Sequence, residues 1–144
     1  MKSVLVVCVG NICRSPMGEA LMAAALPDLR VSSAGIGALV GQAADPLACE
    51  LMMGKGLDIG AHRARQLSSL MCQESDLILA MDDEQKLHIG QRYPLTRGKL
   101  FRLGEAARMD VPDPYRLGRA AFEHALQLIE VGTAAWAERI RKIS

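Results

Sequence analysis

Residues Val4 to Val7 read Val-Leu-Val-Val, with no polar alternation. The loop Cys8-Val9-Gly10-Asn11-Ile12-Cys13-Arg14-Ser15 follows, and Pro16 then opens a stretch with helical spacing. An apolar run that does not alternate fits a strand covered on both faces, as at the centre of a parallel sheet. A strand, a tight polar loop and a helix N-terminus together make a site for an anion. This arrangement commits the chain to an α/β fold with the loop at the carboxyl end of a central strand, where such sheets hold their ligands.

The rest of the chain continues the alternation. Ser3 to Val7 is expected as the first strand. Ser15 is expected as the N-cap of a helix with Pro16 at its first position and Met17, Ala20, Leu21 and Ala24 packed on the sheet; the helix ends near Pro27. Gly18 is out of place in that helix by intrinsic preference. Leu29 to Ser32 reads as a second strand ended by Ser33-Ala34-Gly35, followed by an uncharged Gly-rich loop to Ala44. Asp45-Pro46 starts a helix running towards Gly54 or Gly56. Ser68 to Cys72 reads as a short helix, Leu77 to Met81 as a third buried strand, Asp83 to Ile89 as a helix, and Lys99 to Leu103 as a fourth strand. A long amphipathic helix runs from Leu117 to Ile143, with Ala121, Phe122, Ala125, Leu128, Ile129 and Trp136 inward and a bend at Gly132. The fold expected is one α/β domain over residues 1–144: a Rossmann-like, four-stranded parallel sheet flanked by helices on both faces.

Composition narrows the function by exclusion. The net charge is +1, so no bulk field draws nucleic acid or an anionic surface, and attraction for an anion must be local. The apolar run near Lys2 is too short for a signal-peptide core with its cleavage site, and no other run would cross a bilayer. The chain therefore reads as cytoplasmic with reduced cysteines; a monomer is expected. Cys8 and Cys13 have the spacing of half a zinc knuckle, but His62, His88 and His124 stand singly and supply no second pair. Cys49 and Cys72 read as packing residues, Phe122 and Trp136 as core.

Five residues separate Cys8 from Arg14. A loop of that length places a thiol and a planar two-pronged guanidinium around one oxyanion. Gly10 and Asn11 tolerate the left-handed backbone such a loop needs. The loop N–H groups, the helix N-terminus and Arg14 favour negative charge on the sulfur, and Ser15 is placed to donate to it. Lysine in place of Arg14 would lose the fork. Asp113 stands in Val111-Pro112-Asp113-Pro114-Tyr115, a loop stiffened by both prolines.

In these features the chain resembles the low-molecular-weight protein tyrosine phosphatases. Cys8 to Ser15 is similar to that family's signature loop, and Asp113-Pro114-Tyr115 to its general-acid loop roughly a hundred residues later. Ser33-Ala34-Gly35 and Ala61 to Gln66 extend the likeness over nearly the whole chain. The resemblance implies a metal-free, cofactor-free hydrolysis of phosphotyrosine in which Cys8 is the nucleophile, Arg14 grips the phosphoryl oxygens and Asp113 is acid and then base. It implies substrate contacts from Val9, Gly10, Asn11, Ile12, Cys13 and Ser15 of the loop. Asn11 would brace the loop by side-chain hydrogen bonds, and Cys13 would be either packing or a reversible partner for oxidised Cys8. Tyr115 would wall an aryl pocket. Many family members carry an aromatic residue after Ser-Ala-Gly. Here Ile36 to Gly41 has none, Leu39 takes the wall, and Arg116 stands where a second aromatic would follow Tyr115. These departures resemble the bacterial branch paired with membrane-associated tyrosine autokinases of capsule or exopolysaccharide export, whose phosphotyrosine-rich tails would be the substrate. His62 reads as a connector satisfying backbone near the loop; Arg63 and Arg65 read as solvated charges or substrate contacts. Two other readings share the loop: an arsenate reductase, which needs a downstream cysteine pair where only Cys72 stands, and a phosphate carrier that does not hydrolyse.

Overall fold

The computed structural model describes residues 1–143; Ser144, the last residue of the expected domain, lies outside them. Four parallel strands form one sheet: β1 (Ser3–Cys8), β2 (Arg30–Gly35), β3 (Leu77–Ala80) and β4 (Leu100–Arg102), in the order β2-β1-β3-β4. The helices are α1 (Arg14–Ala25), α2 (Pro46–Met53), α3 (Ser69–Glu74), α4 (Asp83–Arg92) and α5 (Arg119–Ile143). From β1 the chain first moves outward to β2 and then crosses back to β3, so the direction of winding reverses between β1 and β3. That crevice is the switch point of a doubly wound sheet, and the loop after Cys8 opens into it.

Every residue of β1 is buried, which is why its sequence does not alternate. Val4, Val6 and Cys8 face a core shared with Met17 of α1, Met52 of α2 and Phe122, Ile129 and Trp136 of α5. Leu5 and Val7 face the other side, against Cys72 of α3 and Ile89 of α4. The expected α/β sandwich, one sheet with helices on both faces, is therefore present.

Several local expectations are corrected. Ser15 is not the cap of α1: Cys13 holds that position without a side-chain cap bond, because the Ser15 hydroxyl is engaged with the loop. Strand β2 runs on through Ser33, Ala34 and Gly35, which pair with Val6, Val7 and Cys8. Those small residues resemble a turn in sequence, but here they let the neighbouring loop approach. Ala24 is exposed, and the packed face of α1 centres on Met17, Gly18 and Met22. A Cβ on Gly18 would come 3.1 Å from Val6 Cγ1, so the glycine sets how closely α1 lies on β1. Gly132 does not interrupt α5. It is buried under β4's end, where a Cβ would stand 2.7 Å from the Leu103 carbonyl oxygen. Ala121 and Leu128 are half-buried, while Leu126, Ala137 and Ile140 carry the core side of α5. The start of α2 is as expected, with the Asp45 carboxylate accepting from Leu47 N–H at 2.9 Å.

Candidate active site

The loop leaving β1 is held from outside by its carbonyls. The oxygens of Cys8, Val9 and Gly10 accept from Ile36, Gly37 and Leu39 at 2.9, 3.0 and 3.1 Å, and that of Ile12 accepts from Asp45 at 2.8 Å. The Asn11 carbonyl lies 2.6 Å from His62 Nε2. In a trans peptide the N–H points opposite to the C=O of the same unit. Five carbonyls turned outward therefore turn the N–H groups of Val9 to Cys13 inward, and these have no acceptor among the described residues. That concavity of donors, closed by the N-terminus of α1, is built to hold an oxyanion. Gly35 permits the tethering: a Cβ there would stand 2.4 Å from the Val9 carbonyl oxygen.

Asn11 takes the left-handed conformation, φ 60°, and its buried side chain locks the loop. Its Nδ2 donates to Ser15 Oγ at 2.8 Å and Ser33 Oγ at 3.0 Å, and its Oδ1 accepts from Arg65 N–H at 2.9 Å. Ser33 passes the chain on to Glu19. Ser15 Oγ lies 2.9 Å from Cys8 Sγ, and Ser15 N–H points at the same sulfur from 3.4 Å. With Asn11 donating to its oxygen, the Ser15 hydroxyl is left to donate to Cys8. Asn11 and Ser15 thus lie behind the loop, and their side chains do not line the recess.

Arg14 is 3 % exposed. Its Nη1 donates to the Val111 carbonyl at 2.8 Å and lies 3.5 Å from Asp82 Oδ2; its Nη2 lies 3.7 Å from Asp113 Oδ2. Val111 N–H in turn donates to the Met81 carbonyl at the end of β3, at 2.8 Å. The Asp113 loop is thereby moored to the sheet at the switch point. Asp113 Oδ1 accepts from Tyr115 N–H at 3.1 Å, which leaves Oδ2 towards Arg14.

These groups enclose a recess of about 180 Å³ lined by Cys8, Arg14 and Asp113, with walls from Val9, Gly10, Ile12, Cys13, Gly37, Leu39 and Tyr115. A larger cavity of about 690 Å³ lies between α4 and the start of β4, with no cysteine in its lining. The Cys13 thiol is pushed well above the ordinary range by burial first, then by Asp45, Cys8 and Asp113, so it remains protonated. Cys72 is fully buried on the opposite face, and Cys49 is half-buried with its thiol directed at the Ala44 carbonyl, 3.7 Å away. Arg65 donates from Nε to the Ser33 carbonyl at 2.9 Å, and among the described residues Arg63 bonds only carbonyls of its own turn, Gly60 and His62.

Sequence reasoning missed Asp82. It follows the third buried run and caps α4 by accepting from Gln85 N–H at 2.7 Å. Its place at a strand's carboxyl end was a usable signal. Ser33 and Glu19 carried no such signal, since their roles depend on Asn11 turning inward.

The fold and recess define a class: an α/β protein that sets a thiol under a ring of backbone donors, with an arginine and a carboxylic acid at the rim. Comparison with known proteins agrees. The family model described as low molecular weight phosphotyrosine protein phosphatase matches residues 3–144, and the chain belongs to that family. It is 52 % identical over 143 residues, 99 % of each chain, to the "Probable low molecular weight protein-tyrosine-phosphatase EpsP" of Ralstonia nicotianae. A solved structure of Vibrio vulnificus Wzb in complex with benzylphosphonate superposes with a TM-score of 0.93 at 42 % identity, covering 96 % of this chain and 98 % of that one. The YwlE arginine phosphatase from Geobacillus stearothermophilus has a TM-score of 0.92 at 31 % identity, covering 99 % and 94 %.

Proposed function

We propose that this protein hydrolyses phosphotyrosine in other proteins through a cysteinyl-phosphate. The observation that carries the reading is the placement of Cys8, Arg14 and Asp113 around one recess under inward N–H groups. The Cys8 sulfur attacks phosphorus; the S–P bond forms as the bond to the tyrosyl oxygen breaks. Loop N–H groups and the Arg14 fork hold the phosphoryl oxygens as charge redistributes. Asp113, in its acid form, gives its proton to the departing phenolate. Water then attacks phosphorus, Asp113 takes the water's proton, and the S–P bond breaks to release phosphate and the Cys8 thiolate.

The leaving group follows from the walls. Ile12, Leu39 and Tyr115 offer apolar surface to a flat aryl ring, whereas a phosphorylated guanidinium of the kind YwlE's description names would meet few polar partners there. An arsenate reductase is disfavoured because Cys49 and Cys72 lie away from the recess lining. A passive carrier leaves Asp113 unused. No described helix is long and apolar enough to cross a membrane. The physiological substrate in this reading is the tail of a membrane-associated tyrosine autokinase of exopolysaccharide or capsule export, met by a monomeric enzyme in the cytoplasm. Similarity to proteins named EpsP and Wzb and the absence of an aromatic wall at Leu39 support it.

The test is phosphate release from phosphotyrosine, phosphoserine and phosphoarginine in the presence of a chelator, by wild type and Cys8→Ser. Turnover of phosphotyrosine alone, lost in the variant, is expected. Preferential turnover of phosphoarginine, or activity surviving in Cys8→Ser, would overturn the reading.

A further inference from the structure

Arg116 follows Asp113 closely in the chain and stands on a turn that does not suit it. Leu117 N–H donates to the Pro114 carbonyl at 3.0 Å, and Arg116, the third residue of that turn, has φ 61°. Glycine or asparagine takes such a position easily, whereas a longer side chain there carries a backbone cost. A residue held in the left-handed region beside a functional site points to a side chain with a task. The chemistry of Cys8, Arg14 and Asp113 gives Arg116 none.

The side chain is placed by its neighbour. The Arg116 guanidinium lies over the Tyr115 ring, its Cζ 5.1 Å from the ring centroid. Tyr115 is a wall of the catalytic recess, and its N–H is tied to Asp113 Oδ1 at 3.1 Å. Arg116 is exposed and does not line the recess, so its charge stands outside, against that wall. The ring contact fixes the charge without supplying an acceptor oxygen. Among the described residues no ion pair or hydrogen bond uses the guanidinium. Arg119, on the same segment, is the contrast: it is bound by both Glu50, at 2.7 Å, and Glu123, at 2.9 Å. The mouth of the recess therefore carries one oriented guanidinium whose charge is not neutralised. The group that matches its fork is a carboxylate or a phosphate.

From this we infer that Arg116 is a specificity residue, which receives an anionic side chain of the substrate polypeptide lying close in sequence to the phosphotyrosine. With the phosphotyrosine ring along Tyr115, the chain on one side of it passes the Arg116 guanidinium. The inference rests on the phosphotyrosine reading above. Arg116 takes no part in forming or breaking bonds to phosphorus.

The experiment measures kcat/KM at low salt for matched phosphotyrosine peptides, with p-nitrophenyl phosphate as reference. Each peptide carries one Glu, Gln, Lys or phosphoserine, placed in turn at the positions on either side of the phosphotyrosine. Wild type, Arg116→Gln and Arg116→Glu are compared. At one placement or more, wild type is expected to favour Glu over Lys about three- to ten-fold, the scale of one or two partly exposed ion pairs, mainly through KM. A phosphoserine peptide turned over faster than its Glu counterpart assigns the position to a phosphate, and the reverse order assigns it to a carboxylate. Arg116→Gln should bring the Glu and Lys peptides to parity and Arg116→Glu should reverse their order. Arg116→Gln should also hydrolyse p-nitrophenyl phosphate as wild type does, which shows it to be folded. Equal rates on Glu and Lys peptides in wild type at every placement, or a preference unmoved in both variants, would overturn the inference and leave the phosphatase reading standing. So would a loss of p-nitrophenyl phosphate turnover in Arg116→Gln with the Glu-to-Lys ratio unchanged, since Arg116 would then only prop the Tyr115 ring. Turnover of p-nitrophenyl phosphate with no turnover of any peptide would overturn the phosphotyrosine reading itself, and this inference with it.

Discussion

Asp113 and Arg14 face each other across the mouth of the recess, with Asp113 Oδ2 lying 3.7 Å from Arg14 Nη2. The two are held very differently. The Arg14 side chain is 3 % exposed and fixed by the Val111 carbonyl, whereas the Asp113 side chain is 51 % exposed. Removing the carboxylic acid should therefore leave the phosphate clamp in place. Asp113→Asn is expected to lower kcat/KM, which reports formation of the cysteinyl-phosphate, by about 10²–10⁴. The loss should be larger for phenyl phosphate than for p-nitrophenyl phosphate, whose leaving group needs less help from a proton. A loss of equal size on both esters would mean that Asp113 holds Arg14 and does not deliver the proton.

Asn11 combines a strained backbone with a bracing side chain, and two substitutions separate these roles. Asn11→Ala loses the bonds to Ser15 and Ser33 and keeps a Cβ at φ 60°. Asn11→Gly loses the same bonds but relaxes the backbone. Alanine is expected to cost about 1–3 kcal/mol from the network, with a further penalty from the left-handed backbone. Glycine should cost visibly less. Urea midpoints at fixed pH measure the difference; identical midpoints would remove backbone strain from the explanation.

Gly132 is expected to behave as a packing residue. Gly132→Ala should improve intrinsic helix preference, yet its Cβ would enter the 2.7 Å gap to the Leu103 carbonyl and push α5 off the end of β4. Overpacking of this kind costs about 1–3 kcal/mol. Thermal unfolding of the variant decides the sign; a gain in stability would show that α5 tolerates the shift.

Asp76 gives stability its acid dependence at the amino end of the sheet. Its carboxylate accepts from the N–H groups of Lys2 at 2.7 Å and Ser3 at 3.1 Å. The Lys2 bond above all, helped by Ser3, the N-terminal ammonium and Lys99, holds it below the ordinary carboxylate range against burial, which pushes the other way. A group depressed in the folded state stabilises fully above its unfolded value, near about 3.9, and loses that contribution as pH falls through the depressed value. Wild type should therefore exceed Asp76→Asn in urea midpoint at neutral pH and approach it below about pH 4. Parallel midpoints across that range would show that the depressed carboxylate contributes nothing.

Much of this was legible in the chain because it is local. The unalternating Val4 to Val7 has the pattern of a doubly covered strand, and the Cys8–Arg14 spacing carried the oxyanion loop with it. What escaped depended on contacts between distant segments. Ser15 before Pro16 has the form of a helix cap, but Cys8 and Asn11 claim its hydroxyl. Ser33-Ala34-Gly35 looks like a strand's end, yet it pairs with Val6 to Cys8 because the loop needs a neighbour without bulk. Asp82 lies 68 positions from Arg14, and no local pattern joins them. Gly132 resembled a hinge because nothing in α5 reveals that the Leu103 carbonyl presses on it.

The most direct test of the chemistry is to trap the intermediate. Asp113→Asn mixed with p-nitrophenyl phosphate and quenched in acid within the first turnover should carry one phosphoryl group on the peptide containing Cys8, found by mass spectrometry and absent from the Cys8→Ser variant. A burst of p-nitrophenol with phosphate released and no phosphoryl group on Cys8, or turnover persisting in Cys8→Ser, would contradict the assignment of Cys8 as nucleophile.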